Sequence, residues 1–143
     1  MLIVQESTLV AASLERVRQA VLDPDAYTKV DTKVSTIEVR ERTPDGMVAP
    51  INGQFRPIRS HILARYTVGD RRVDLEMLEG RLRAFHAVFE LEPEDGGVRL
   101  THREEYDFGY PLVTPLVELM LRGWARRSVQ AEVESLKRAA EEP

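Results

Sequence analysis

The sequence contains no cysteine among its 143 residues. This absence excludes disulfide bonds, thiolate nucleophiles and thiolate metal ligands together. It fits a reducing cytoplasm, which is the location we predict. A chain of this length is typical of one domain and can bury a sizeable core without covalent cross-links. We therefore expect a single domain over residues 1–143.

The sequence also lacks long apolar runs and a surplus of basic residues. The N-terminus MLIVQESTLV has no basic segment and reaches Gln5 and Glu6 too early for a signal peptide. No apolar run approaches the roughly 20 residues that a membrane helix needs. The formal net charge of -4 argues against a protein that binds nucleic acid through phosphate contacts. We predict no membrane insertion and no nucleic-acid partner, and the oligomeric state stays open.

Apolar and polar residues alternate with the period of a β-strand over much of the first 108 residues. Ser13 follows the first such run and predicts a helix N-cap, and Pro24 opens a second short helix that continues through Tyr27. The string Glu94-Asp95-Gly96-Gly97 is typical of a hairpin turn. Strands are predicted at residues 2–10, 34–42, 47–55, 58–68, 73–77, 82–91 and 98–108. Successive hairpins of this kind predict an antiparallel sheet with one face in water.

A long helix is predicted after the last strand, beginning at Thr114-Pro115 and ending near Glu141. At 1.5 Å per residue it is on the order of 40 Å long, so it must lie across the sheet to bury its apolar stripe. That stripe is predicted to contain Val113, Val117, Met120, Trp124, Val129, Val133, Leu136 and Ala140. Glu132 is assigned to the polar remainder. The predicted fold class is α+β, with a seven-stranded curved antiparallel sheet wrapped around the C-terminal helix and two short helices after the first strand.

Four local strings carry a family resemblance: Leu22-Asp23-Pro24-Asp25-Ala26-Tyr27, Glu79-Gly80, Phe89-Glu90-Leu91-Glu92-Pro93 leading into Gly96-Gly97, and Tyr106-Asp107-Phe108 before Pro111-Leu112. They resemble the START-like (SRPBCC) superfamily, most of all its polyketide cyclase and coenzyme Q-binding branch. The resemblance implies a helix-grip fold and a hydrophobic ligand such as an aromatic polyketide, an isoprenoid or a fatty acyl lipid. It implies no particular reaction, because one fold hosts many functions.

The last strand carries the most informative polar residues. By strand parity His102 and Glu104 share a face with apolar Val98, Leu100 and Phe108, which predicts that both point inward. They would either orient the polar end of a ligand and exchange a proton with it, or pair with each other, with Tyr66 or with water. The predicted ligand-binding residues are His102, Glu104, Tyr106, Tyr66, Phe85, Phe89, Met77, Leu116, Met120 and Trp124. The apolar members of this set are equally explained as core residues.

The sequence carries no signature of a metal site, a nucleophile or a cofactor site. His61 and His86 fall on the outward parity of their strands, and the string His102-Arg103-Glu104 supplies at most two ligands, so we predict no metal. No Gly-x-Ser-x-Gly elbow is present, and Gly96-Gly97 lacks the context of a phosphate-binding loop, so we predict no cofactor and assign no catalytic residue.

Three functions are compatible with these residues. The preferred one is a non-enzymatic protein that binds or carries a hydrophobic or amphipathic small molecule between the sheet and the C-terminal helix. An enzyme of the aromatase/cyclase type is the first alternative, with His102, Glu104, Tyr66 and Tyr106 handling protons. The second alternative is a regulatory interaction protein whose cavity is filled by side chains.

Overall fold

One antiparallel sheet and one long helix contain most of the described residues. The computed structural model describes residues 2–23, 36–37, 41–43, 46–55, 58–80, 82–109 and 115–142. The elements in chain order are β1 (Leu2–Val10), α1 (Leu14–Leu22), β2 (Thr36–Ile37), β3 (Glu41–Thr43), β4 (Gly46–Phe55), β5 (Ile58–Val68), β6 (Arg72–Glu79), β7 (Ala84–Glu94), β8 (Gly97–Asp107) and α2 (Pro115–Glu141). The α+β class and the long C-terminal helix are as the sequence predicts.

The strands follow the order β1-β8-β7-β6-β5-β4-β2, with β3 also paired to β4. Consecutive strands from β4 to β8 pair as an antiparallel meander, and β1 pairs antiparallel with β8. Five strands, β1 and β5 to β8, carry the buried strand residues of the described core. The predicted count of seven strands is wrong for the described residues, because two short segments, β2 and β3, lie where the sequence predicts one strand over residues 34–42.

Helix α1 begins at a side-chain cap. The Ser13 hydroxyl accepts a hydrogen bond from the Arg16 backbone N–H at 3.2 Å, which satisfies one of the free donors of the first turn. The helix buries Val17, Ala20 and Val21 against the core. The second short helix, predicted from Pro24, lies outside the described residues.

The β7–β8 hairpin turns where the sequence predicts it. Glu94 pairs with Gly97 across the turn. Gly96 and Gly97 both have positive φ, at 90° and 146°, a region that side chains rarely adopt. A Cβ at Gly97 would also overlap the Val10 carbonyl oxygen. Glycine is therefore required where this hairpin meets the end of β1.

Helix α2 packs on β1, β8 and α1, and its two ends differ in burial. At what we call the closed end, residues 125–140, the buried apolar side chains are Ala125, Val129, Val133, Leu136 and Ala140. At the open end, residues 116–124, Leu116, Leu119 and Met120 are 65–66% exposed, and Leu121 and Trp124 are half-buried.

The predicted apolar stripe is therefore correct at the closed end and at Trp124, and it is wrong at Met120, because the neighbouring Leu121 packs against the core in its place. Val113 and the side chain of Val117 lie outside the described part of the chain. No helix in the described part is long and apolar enough to span a membrane.

Candidate functional site

A buried polar cluster lies beneath helix α2 on strand β8, the second strand from one edge of the sheet. Strand β8 pairs with β1 on one side and β7 on the other, so its backbone is fixed by hydrogen bonds along both edges. Its residues alternate between buried and half-buried, which places His102 and Glu104 inward at 1% and 2% exposure. The inward orientation predicted from parity is confirmed for both residues.

The imidazole ring of His102 is held on two sides. Its Nδ1 lies 3.1 Å from the Val88 carbonyl oxygen, and because a carbonyl can only accept, Nδ1 carries the proton of this hydrogen bond. The ring stacks on Phe89 with centroids 4.0 Å apart and an interplanar angle of 7°. These contacts fix the ring and direct Nε2 toward helix α2.

Two carboxylates meet at that nitrogen. His102 Nε2 lies 3.0 Å from Glu104 Oε1 on the same strand and 2.7 Å from Glu132 Oε2 on helix α2. Glu132 is only 4% exposed. The predicted alternative that His102 pairs with Glu104 is confirmed, and the helix adds a second carboxylate.

Assigning Glu132 to the polar remainder of the helix was wrong. Its spacing holds a signal that could have found it, because it follows Val129 by three residues and precedes Leu136 by four, which is the spacing of one helix face. Ser128, four residues before Glu132, is buried as well. The charge of glutamate conceals a position that the periodicity assigns to the core.

Tyr106 connects the cluster to the open end. Its hydroxyl donates to Glu104 Oε2, while its ring lies 5.0 Å from the ring of Phe85, 6.3 Å from Phe108 and 6.5 Å from Trp124. The phenol therefore has a polar tip in the cluster and an aromatic face among half-buried apolar side chains. A hydrogen-bonded chain runs from Tyr106 through Glu104 and His102 to Glu132.

The carboxylates of the cluster change the pKa of the histidine that they contact. Burial by itself lowers the pKa of His102, but the charges and hydrogen bonds of Glu132 and Glu104 outweigh burial and raise the pKa to about 9. Burial, together with the charge of Glu132, raises the pKa of the Tyr66 phenol well above its ordinary value, so Tyr66 stays neutral. The cluster can therefore hold a proton on His102 between two carboxylates, and it can donate or accept one.

The structure brings together only part of the predicted ligand-binding set. His102, Glu104 and Tyr106 share hydrogen bonds. Phe85, Phe89 and Trp124 contact this group through their rings, and Met77 is half-buried on β6. Leu116 and Met120 are exposed at the open end. A ligand-binding role for these residues stays a prediction.

An open depression of about 560 Å³ is lined by the outer-face side chains Arg65, Asp74 and Glu76, and also by Met77 and Phe85 of the predicted ligand-binding set. His86 also lines it, with Nε2 3.1 Å from Asp74 Oδ1. The predicted separation of His86 from His102 is confirmed, and the side chain of His61 lies outside the described part. This depression has mixed charge and contains none of the residues of the buried cluster.

The sequence matches one protein family, and the structure is similar to solved structures of one fold. The sequence matches the model of a family described as polyketide cyclase/dehydrase and lipid transport over residues 1–141. Its structure is similar to that of TTHA0849 from Thermus thermophilus, with a TM-score of 0.84, 17% identity and 96% of each chain covered. No curated protein sequence matches the chain.

Two further solved structures confirm the START-like resemblance. The Zhui aromatase/cyclase from Streptomyces sp. R1128 has a TM-score of 0.76 and 17% identity, with 97% of this chain and 93% of that chain covered. A START superfamily protein from Mycobacterium smegmatis has a TM-score of 0.78 and 16% identity, with 99% and 98% covered. At these identities the similarity establishes the fold.

Proposed function

Because the chain belongs to the polyketide cyclase/dehydrase and lipid transport family, we propose that it binds an amphipathic small molecule of lipid, isoprenoid or polyketide type. The ligand lies between the sheet and the open end of helix α2. Its apolar body packs on the half-buried side chains there, and its polar end reaches Tyr106. Ligand pockets are commonly built in this way, from apolar walls with a few placed polar groups.

The observation that carries this proposal is the position of Tyr106. Its ring faces Phe85 and Trp124, and its hydroxyl donates into the buried cluster at Glu104. A ligand packed on these rings would contact a phenol whose hydroxyl is hydrogen-bonded to the ionisable groups of the cluster. His102 acts on such a ligand through Glu104 and Tyr106, because its own ring is almost fully covered.

Trp124 provides a direct test, since it is the only tryptophan in the chain and lies half-buried at the open end. Protein purified without detergent is expected to carry a lipid-like molecule in native mass spectrometry. After delipidation, fatty acids, quinones or aromatic polyketides are expected to change the Trp124 fluorescence to saturation. Empty protein with no saturable change for any of the three classes contradicts the proposal.

Two variants separate the apolar wall from the polar end. Phe85→Ala is expected to weaken binding about tenfold through lost apolar contact, whereas Leu78→Ala, an exposed position on β6, leaves the affinity unchanged. Tyr106→Phe is expected to weaken binding of a fatty acid while leaving a hydrocarbon of equal length unaffected. Equal losses for both ligands would remove Tyr106 as the polar contact.

An aromatase/cyclase-type enzyme is the second candidate, and the proton-holding chain at Tyr106 is the observation that favours it. A His102 imidazolium between two carboxylates can serve as a reservoir for general acid and base steps delivered through Glu104 and Tyr106. The test is conversion of a poly-β-ketone substrate to an aromatic product, followed by mass spectrometry. Loss of product in Glu104→Gln with ligand binding retained supports an enzyme; unchanged turnover removes Glu104 from the mechanism.

A further inference from the structure

Three donor atoms converge at one buried point beneath helix α2. His102 Nε2 lies 3.0 Å from Glu104 Oε1 and 2.7 Å from Glu132 Oε2, and the ligand-type atoms of the three residues all lie within 4.8 Å of one another. Two atoms that each bind a metal ion at about 2.1 Å are about 3.0 Å apart when they subtend a right angle. The two separations from His102 Nε2, 3.0 Å and 2.7 Å, are within a few tenths of an ångström of that spacing.

The His102 ring has the orientation of a metal ligand. A ligating histidine usually donates its other ring N–H to a carbonyl or carboxylate, which fixes the tautomer and the ring plane. Here Nδ1 donates to the Val88 carbonyl, and the Phe89 ring supports the imidazole from one face. A neutral His102 therefore presents the lone pair of Nε2 to the two carboxylates.

The carboxylates are also arranged for this role. Glu104 uses Oε2 to accept from the Tyr106 hydroxyl and directs Oε1 toward His102, so its orientation is supported from behind. Glu132 comes from helix α2, which packs against β8. The donors thus belong to two elements whose relative position is set by the core rather than by a loop.

A divalent cation matches the formal charge of these three donors. Two carboxylates and a neutral imidazole carry -2 together, so one divalent ion bound to all three leaves the group with no net charge. Such an ion would take the place of the proton on Nε2. The three residues are no more than 4% exposed, so the ion would be enclosed by the protein.

We propose that His102, Glu104 and Glu132 form a binding site for one divalent transition-metal ion. One imidazole and two carboxylates, with no sulfur donor, suit Zn²⁺, Co²⁺ or Mn²⁺. Three protein ligands leave at least one coordination position for water or for a ligand oxygen. The site replaces the prediction of no metal, because the fold supplies Glu132 as a third ligand that the string His102-Arg103-Glu104 lacks.

The experiment uses the full chain, dialysed against EDTA and then returned to metal-free buffer. Co²⁺ is added both to the folded protein and during refolding, because the site is covered by helix α2. We expect one equivalent of Co²⁺ per chain, visible d–d absorption bands, replacement by Zn²⁺ in elemental analysis, and a higher Tm with metal than without. A wild-type chain that retains no stoichiometric Co²⁺ or Zn²⁺ under either protocol overturns the proposal.

Matched variants assign the metal to this site. Glu132→Gln preserves the shape of the side chain and is expected to weaken Zn²⁺ binding at least tenfold, whereas Glu134→Gln, exposed on the same helix, binds as the wild type does. His86→Gln controls for adventitious binding beside Asp74 and is also expected to bind normally. Glu104→Gln provides a second test if another variant fails to fold. Retained stoichiometric binding in both glutamate variants, or its loss in His86→Gln, overturns the assignment.

This test is independent of the proposed organic ligand, because its readouts are metal stoichiometry, Co²⁺ absorption and the metal-dependent Tm. A protein that binds fatty acids but no Co²⁺ would retain its proposed function and lose the metal site. A protein that binds Co²⁺ through Glu132 but no organic ligand would give the opposite result.

Discussion

The two ends of helix α2 have similar apolar residues and opposite surroundings. At the closed end Val129 and Leu136 are buried in the core, whereas Leu119 and Met120 at the open end are two-thirds exposed. Burial of apolar area stabilises a fold in proportion to the area removed from water. The difference indicates that helix burial stabilises the fold mainly at the closed end, while the open end retains exposed apolar surface.

The buried cluster lies between these two regions. Glu132 belongs to the closed end of the helix, and Tyr106 reaches the rings at the open end. The hydrogen-bonded chain from Tyr106 to Glu132 therefore connects the part of the molecule that holds the fold together with the part that is proposed to bind the ligand.

The largest expected effect comes from removing one leucine at each end of the helix. Leu136→Ala, at 1% exposure, is expected to lower the free energy of unfolding by about 2–5 kcal/mol through lost burial and the cavity left behind. Leu119→Ala is expected to change it by no more than about 0.5 kcal/mol. Urea denaturation measures both. Similar losses at the two positions would remove the distinction between the ends.

An intermediate effect is expected from pH in metal-free protein. The carboxylates of Glu132 and Glu104 overcome burial and raise the pKa of His102 from 6.5 to about 9, so the folded state keeps a proton that the unfolded state releases. This contribution to stability is fully present below pH 6.5 and is lost as the pH rises to about 9. The free energy of unfolding, measured in EDTA, should therefore fall across that window.

Two variants check the source of this pH dependence. His102→Phe is expected to lack the loss of stability between pH 6.5 and 9, and His86→Gln, on the outer face, is expected to keep it. A wild-type chain whose stability is flat over this window would contradict the charge assignment in the cluster.

The smallest expected effect concerns the side chains that tie the helix to the edge of β1. Lys137 donates to the Leu9 carbonyl at 2.6 Å at the closed end, and Arg122 donates to the Ile3 carbonyl at 3.0 Å at the open end. Lys137→Met and Arg122→Met keep most of the apolar stem, and each is expected to cost less than about 1 kcal/mol, with the larger loss at Lys137. Thermal unfolding compares them; a larger loss at Arg122 would show that the open end contributes more than its burial indicates.

Much of the fold follows from local patterns. The alternation along β8 places His102 and Glu104 inward because successive side chains of a strand point to opposite faces. Ser13 caps a helix by accepting from a backbone N–H three residues later, and Gly96-Gly97 forms a turn through its own positive φ angles. The long helix, the meander and two of the three cluster residues, His102 and Glu104, could therefore be predicted from the sequence.

The third residue of the cluster, Glu132, required the tertiary structure. The charge of Glu132 suggests solvent, and only the packing of α2 on β8 shows that it faces His102, 30 positions earlier in the chain. Burial at Met120 was predicted from helical spacing, but a helix presents every face in turn, and its partners decide which one is covered. The sequence alone determined which polar residues of β8 point inward, since strand geometry is local. Tertiary packing decided what they meet, because contacts between distant elements depend on how the whole core is filled.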